Sequence, residues 1–402
     1  MQVFFWLKIQ RLAKGWAVAG FFIYLISIYF LDSSQHKTFF YLLCALPGLL
    51  LFPRFAVLLR QLRWPVLSVF AFLAYFSLSA LWSGHEALKD AAKFSLYLLC
   101  LLLCIEAVMR SGPLAAERIV CFFTILGGVS AIFYFAVLVF HESDFSALLA
   151  GRFSLYQLSG WGEDNPISSA VYFGVPVLAA WWTLPRAKWP TKMALGCVVI
   201  LCVTLMFISK SRGPMLSLLI TLGVISLYRR DKGDFYLWGS ALLFALGVFV
   251  FTDVWSLLYA RMEQPNYRSG IWMHALSLIQ ENFWLGQGFG RPVDIPMSNG
   301  LTVTHSHSSV IEIFRVGGVI GGGLFGAMLL LCLGRLFPKD SAGWFFASWL
   351  LFGLLCLSTN GRLPLGRPAV EWFCFWIPLF FTLFCSRASL DREKQEVAAN
   401  KS

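Results

Sequence analysis

His305 and His307 stand two residues apart in a polar stretch that gives way at Ser309 to an apolar, glycine-rich run ending in Gly317-Gly318-Val319-Ile320-Gly321-Gly322. Imidazole changes charge near neutral pH, so a histidine where water meets an apolar phase is a natural general base. Glu312 and Arg315 follow one helical turn apart. Upstream lie Ser211-Arg212-Gly213-Pro214, Arg268 with Trp272 one turn later, and Arg291 after Gly286-Gln287-Gly288-Phe289-Gly290. A guanidinium presents a planar fork that suits phosphate oxygens better than a lysine does. Plainer roles are open to the same residues: helix packing for the glycines, an ion pair with Glu312 for Arg212, and lipid head groups for Arg268 and Arg291.

Other chemistries fit less well. The glycine run has no preceding strand and no following GKS or GKT, which excludes a P-loop or dinucleotide fold. His274, His305 and His307 are three candidate zinc ligands, but only two are close in sequence and carboxylates near them are sparse, so no metal is expected. No nucleophile elbow supports a Ser-His-Asp hydrolase.

The elements that must hold these residues are membrane helices. Of 402 residues, 58% are hydrophobic and only 13% charged, more apolar surface than a soluble domain can bury. The apolar runs predict an all-α polytopic integral membrane protein, a single membrane domain over 1–402 with about twelve spans: 16–31, 38–53, 64–82, 94–109, 119–140, 167–185, 193–209, 214–228, 235–255, 309–334, 343–359 and 369–386. Met1 to Gly15 is basic and amphipathic with no cleavage site after the first run, which reads as a retained helix. The ten cysteines fall in apolar runs, so no disulfide framework is expected.

The net charge of +11 does not indicate nucleic acid, because the basic residues sit in short loops between spans. Twenty of the 32 collect on one side, predicting cytoplasmic termini. Lys210, Arg212, Arg261, Arg268, Arg291 and Arg315 fall on the other side, around the histidine loop. Two long loops are expected there: 141–166, with the Trp161 to Pro166 turn signal, and 256–308, between the ninth and tenth spans. Within the second, Ser269 to Glu281 has apolar residues at helical spacing and reads as a helix on the membrane surface. Glu106, one turn from Arg110, reads as a paired residue at a cytoplasmic end. The spans carry few mid-membrane charges, which weighs against an ion-coupled transporter.

These motifs resemble the bacterial O-antigen ligase family and its wider group of O-antigen polymerases and O-oligosaccharyltransferases. The family's histidine signature is matched by His307-Ser308, the nine residues Ser309 to Gly317, and Gly318-Val319-Ile320-Gly321-Gly322. Its Ser-Arg-Gly turn matches Ser211-Arg212-Gly213, and its Arg-x-x-x-Trp and Gly-x-Gly segments match Arg268, Trp272, Gly286 and Gly288. The resemblance covers about 195–335, including the loop 256–308 as the catalytic one; the first half shares only hydropathy.

The resemblance implies a cofactor-free, metal-independent glycosyltransferase at the periplasmic face of the bacterial inner membrane. Its donor would be O-antigen on undecaprenyl diphosphate, its acceptor a sugar hydroxyl of the lipid A core, with membrane lipids around both. His307 would be the base, ahead of His305 because only His307 has the signature spacing. Arg212 and Arg268 would hold the diphosphate, and Arg291, His305, Trp272, Arg261 and Arg315 would line the substrates. The rival within the group is a polymerase or O-oligosaccharyltransferase; outside it, a lipid-linked sugar flippase without chemistry.

Overall fold

Backbone amides surrounded by lipid must find partners within their own segment, so apolar runs of this length become helices. The computed structural model describes residues 2–83, 87–141, 153–230, 267–296, 302–333 and 341–385. Eight helices there are long and apolar enough to cross a membrane, or nine if the bent pair Ser33–Leu50 and Arg54–Gln61, angled at 76°, is one span. Large apolar side chains face outward, as a lipid solvent permits: Ile132 is 60% and Leu330 73% exposed. The chain is a polytopic membrane protein. Of the other expected spans, Arg212–Arg229 is helical, Trp372–Cys385 is a shorter apolar helix, and 235–255 lies outside the described residues.

The site depends on helices α1 (Gln2–Phe30), α2 (Ser33–Phe40), α3 (Arg63–Leu78), α4 (Leu88–Met109), α5 (Ala115–His141), α6 (Pro166–Thr183), α7 (Trp189–Ile208), α8 (Arg212–Arg229), α9 (Tyr267–Glu281), α10 (Ser309–Leu333) and α11 (Ser341–Thr359). The helix expected over Ser269 to Glu281 is α9. Beyond the helices, Ile295–Pro296 and Thr302–Val303 form an antiparallel pair, Ile295 opposite Val303, at the base of the histidine loop. Helix starts gather at one end of the bundle. Asp32 caps α2 by accepting from the amides of Ser34 and Gln35, and Asn165 caps α6 by accepting from Ile167 N–H, with Pro166 as first residue. α10 begins two residues after His307, and α11 ends at Thr359 beside Asn360.

At the opposite end Lys14 donates to the Arg110 carbonyl at 2.9 Å. Glu106 is 1% exposed and meets Arg110 Nε at 2.7 Å, as its spacing predicts. Arg54, from the bend after residue 50, adds a second guanidinium at 3.1 Å.

α10 is broken at Gly318, where φ is 61° and ψ −163°, and the segment 283–288 closes the gap. The freed carbonyls of Arg315 and Val316 accept from the amides of Gln287 (2.8 Å) and Gly288 (3.0 Å), and the amides of Val319 and Ile320 donate to Phe283 (2.9 Å) and Trp284 (3.3 Å). Two amides and two carbonyls freed at the break thus find partners in one segment. The approach leaves no room for a Cβ: one at Gly318 would collide with the Trp284 carbonyl, and one at Gly286 with the Val316 backbone. α3 supports the joint, with Tyr75 Oη donating to the Gly317 carbonyl at 2.8 Å and Phe76 packed on Gly317 and Gly321.

Candidate active site

The histidine loop is held from below by a buried ion pair. Glu312 and Arg315 are each 3% exposed. Arg315 Nη2 meets Glu312 Oε2 at 2.7 Å, and Arg315 Nη1 donates to Gln287 Oε1 and to the Arg291 carbonyl, both at 2.9 Å. The other Glu312 oxygen accepts the backbone N–H of Ser306 at 2.7 Å. Trp272 on α9 donates its indole N–H to the Ser306 carbonyl at 3.0 Å. Ser306 is therefore gripped at both backbone groups, and the two histidines flank it. Their ring centroids are 4.1 Å apart, and His307 has a left-handed backbone, φ 56°. A strained residue held by its surroundings is common at functional sites.

His307 stands where two cavities meet. One, about 330 Å³, also has His305, Lys37, Arg362 and Glu371 in its wall. The other, about 750 Å³, has Arg268 and Asp164. Glu163, Asn165, His307 and Asn360 line both. The Asn360 loop is tied to α10 through Ser309 Oγ, which donates to the Arg362 carbonyl, and to Glu371, which accepts from Arg362 N–H at 3.3 Å.

The electrostatics favour neutral imidazoles. Burial, then the Arg268 guanidinium, lowers the His307 pKa below the ordinary 6.5; a hydrogen bond with Asn360 opposes this, and Arg362 adds to it. Burial, then His307 itself, pushes His305 down to about 4. Glu163 moves the other way: burial holds its carboxyl above the usual range, and Glu371 adds to the rise. An uncharged imidazole beside fixed cations can accept a proton, and the cations have the charge to hold an anion.

The expected site residues separate into groups. His307, His305 and Arg268 line the two cavities. Trp272 and Arg315, expected at the substrate, have their polar groups on Ser306, Glu312, Gln287 and the Arg291 carbonyl. Glu312, the plain alternative partner for Arg212, is paired with Arg315. Arg212 is exposed at the first turn of α8, next to Gly213, where an added Cβ would lie 3.0 Å from Thr359 Oγ1 at the end of α11. Arg291 is exposed, and Arg261 lies outside the described residues. His274 is exposed on α9 and does not line either cavity; among the described residues no group of three or more His, Cys, Asp or Glu is arranged to hold a metal.

Sequence reasoning passed over Asn360, Glu163, Glu371 and Lys37. Glu163 is visible in the sequence only as part of the Trp161 to Pro166 turn signal, and nothing there marks Asn360.

Comparison with known proteins gives two matches. A family model described as O-antigen ligase matches residues 197–326. A Pseudomonas aeruginosa PAO1 protein named O-antigen ligase is 30% identical over 384 residues, covering 92% of this chain and 90% of that protein. Similarity at that level over nearly the full length of both chains means that this chain belongs to the O-antigen ligase family.

Proposed function

We propose that this protein transfers O-antigen polysaccharide from undecaprenyl diphosphate to a sugar hydroxyl of the lipid A core, at the periplasmic face of the inner membrane and without a metal. The observation that carries this reading is the position of His307 at the junction of two cavities, one with Arg268 and one with Lys37 and Arg362. Such a junction lets two lipid-tethered substrates approach one base from different sides. The basic residues around Lys14, Arg54 and Arg110 at the other end support cytoplasmic termini.

In this mechanism His307 takes the proton of the acceptor hydroxyl as its oxygen attacks the anomeric carbon of the donor. The bond from that carbon to the diphosphate oxygen breaks as the new glycosidic bond forms. Arg268, joined by Arg212 from α8, takes the charge that develops on the departing diphosphate. Arg315 and Trp272 brace the loop, while Arg291 and His305 flank the substrates.

Cells carrying His307→Ala as their only copy test the reading. Unsubstituted lipid A-core should accumulate together with long polysaccharide on undecaprenyl diphosphate, because polymerisation lies upstream. Lipid A-core capped with a single repeat unit would identify a polymerase instead. A full ladder on a lipopolysaccharide gel would remove His307 as the base. Transfer by purified protein should also survive EDTA; loss restored by one divalent cation would overturn metal independence.

A further inference from the structure

A third cavity, about 370 Å³, lies between α5, α6, α7 and the start of α11. α6 connects it to the His307 region: Asn165 before its first residue lines the histidine cavities, and Trp182 and Thr183 at its far end line this one. Its 18 residues span about 27 Å at 1.5 Å per residue, close to the apolar thickness of a bilayer. The two regions therefore belong to opposite membrane faces.

The walls of this slot include Cys121, Thr124, Ile125 and Leu195, with Glu117 and Arg186 at its polar end. Ile125 is 59% exposed and Cys121 is also exposed, so the slot opens sideways toward lipid. Arg186 is held in place: its guanidinium lies 5.8 Å from the Trp182 ring, and Nη1 donates to the Trp182 carbonyl at 3.4 Å. Arg229 approaches the same ring at 5.8 Å. The slot thus joins an apolar channel to one positioned cation and one exposed carboxylate.

We propose that this slot binds an aminophospholipid of the phosphatidylethanolamine type, one chain between Thr124 and Leu195, phosphate at Arg186 and ammonium at Glu117. Basic loops at a membrane surface attract anionic lipids in a general way. A carboxylate at the mouth repels a purely anionic head group and accepts N–H hydrogen bonds from a primary ammonium, which the trimethylated choline head group cannot donate, so Glu117 selects the ethanolamine zwitterion. This inference does not depend on the chemistry assigned to His307.

The experiment is native mass spectrometry of the full-length protein given equal amounts of phosphatidylethanolamine, phosphatidylglycerol and phosphatidylcholine. One phosphatidylethanolamine should be retained about tenfold over the other two. Glu117→Gln should abolish its advantage over phosphatidylglycerol, Arg186→Gln should weaken retention of all three, and Thr124→Trp should fill the slot and remove the bound lipid. Cys121 gives a readout that needs no substitution in the slot: in a Cys197→Ser protein, phosphatidylethanolamine should slow its alkylation more than phosphatidylglycerol does. Equal retention or equal slowing by the two lipids would overturn the proposal, as would retention unchanged by Thr124→Trp.

Discussion

The Glu312 carboxylate accepts the backbone N–H of Ser306 at 2.7 Å, which ties the first turn of α10 to the residue between the two histidines. Its other oxygen is held by Arg315 at 2.7 Å, and Arg315 reaches on to Gln287 at 2.9 Å. The loop, the broken helix and the segment that closes the break therefore share one buried polar network. The position of His307 is set by residues packed beneath the loop, while His307 itself lines the two cavities.

Removing one partner of this network should cost more than removing the pair. Glu312→Gln leaves a buried guanidinium without its counter-charge, a change that commonly costs about 3–5 kcal/mol. Arg315→Met should cost a similar amount. The double variant should be less destabilised than the two singles added together, because no uncompensated charge remains. Thermal unfolding of the four proteins in one detergent measures the coupling; strict additivity would mean the network contributes nothing as a unit.

The break in α10 makes a separate demand. Gly318 has φ 61° and ψ −163°, a region that side chains avoid at roughly 1–3 kcal/mol each, and a Cβ there would also collide with the Trp284 carbonyl. Gly318→Ala should lower the unfolding temperature and reduce transfer, since the collision pushes 283–288 away from Arg315. Gly323→Ala, where a Cβ meets open space, should be close to neutral. Equal effects at the two positions would mean that the break is incidental.

How much of this was legible in the sequence follows from what each feature depends on. Helices were legible because lipid forces an apolar run of sufficient length to satisfy its own backbone. His307 was legible because its spacing to Gly318 and Gly321 is a local pattern. The closure of the α10 break was not: it depends on a positive φ at Gly318 and on Gln287, thirty-one residues earlier in the chain. Arg315 reads in sequence like any arginine near a phosphate site, and only packing reveals that its donors go to Glu312, Gln287 and a carbonyl. Asn360 and Glu163 come from two distant loops and Lys37 from α2, so no spacing rule joins them to His307.

Transfer should depend on pH in a way set by the lowered pKa of His307. In the proposed role a base works when neutral, so the rate should be flat through neutral pH and fall only below the ordinary histidine value of 6.5. Stability follows the same sign at His305. Its pKa is about 4 when folded against 6.5 in the open chain, so its contribution is fully present above 6.5 and is lost as pH falls toward 4. Unfolding temperatures measured across that window check the second statement, and pH–rate profiles the first. An acid limb above 6.5 would contradict the environment described for His307.

Two substitutions should move that acid limb in opposite directions, which separates an effect on the base from general damage. Arg268 disfavours the imidazolium and Asn360 hydrogen-bonds to His307 in a way that favours it. Arg268→Gln should therefore shift the limb to higher pH, and Asn360→Leu should shift it to lower pH. Arg268→Gln should also lose about a hundred- to a thousandfold in rate at the plateau, because it removes a preorganised cation from the leaving group. Asn360→Leu should lose less, about tenfold or more, through a weaker and less well aimed base. A loosened loop would lower both plateaus without separating the limbs. Limbs that stay together in the two variants would place the titrating group elsewhere than His307, and limbs that part in the stated directions tie the acid limb to this imidazole.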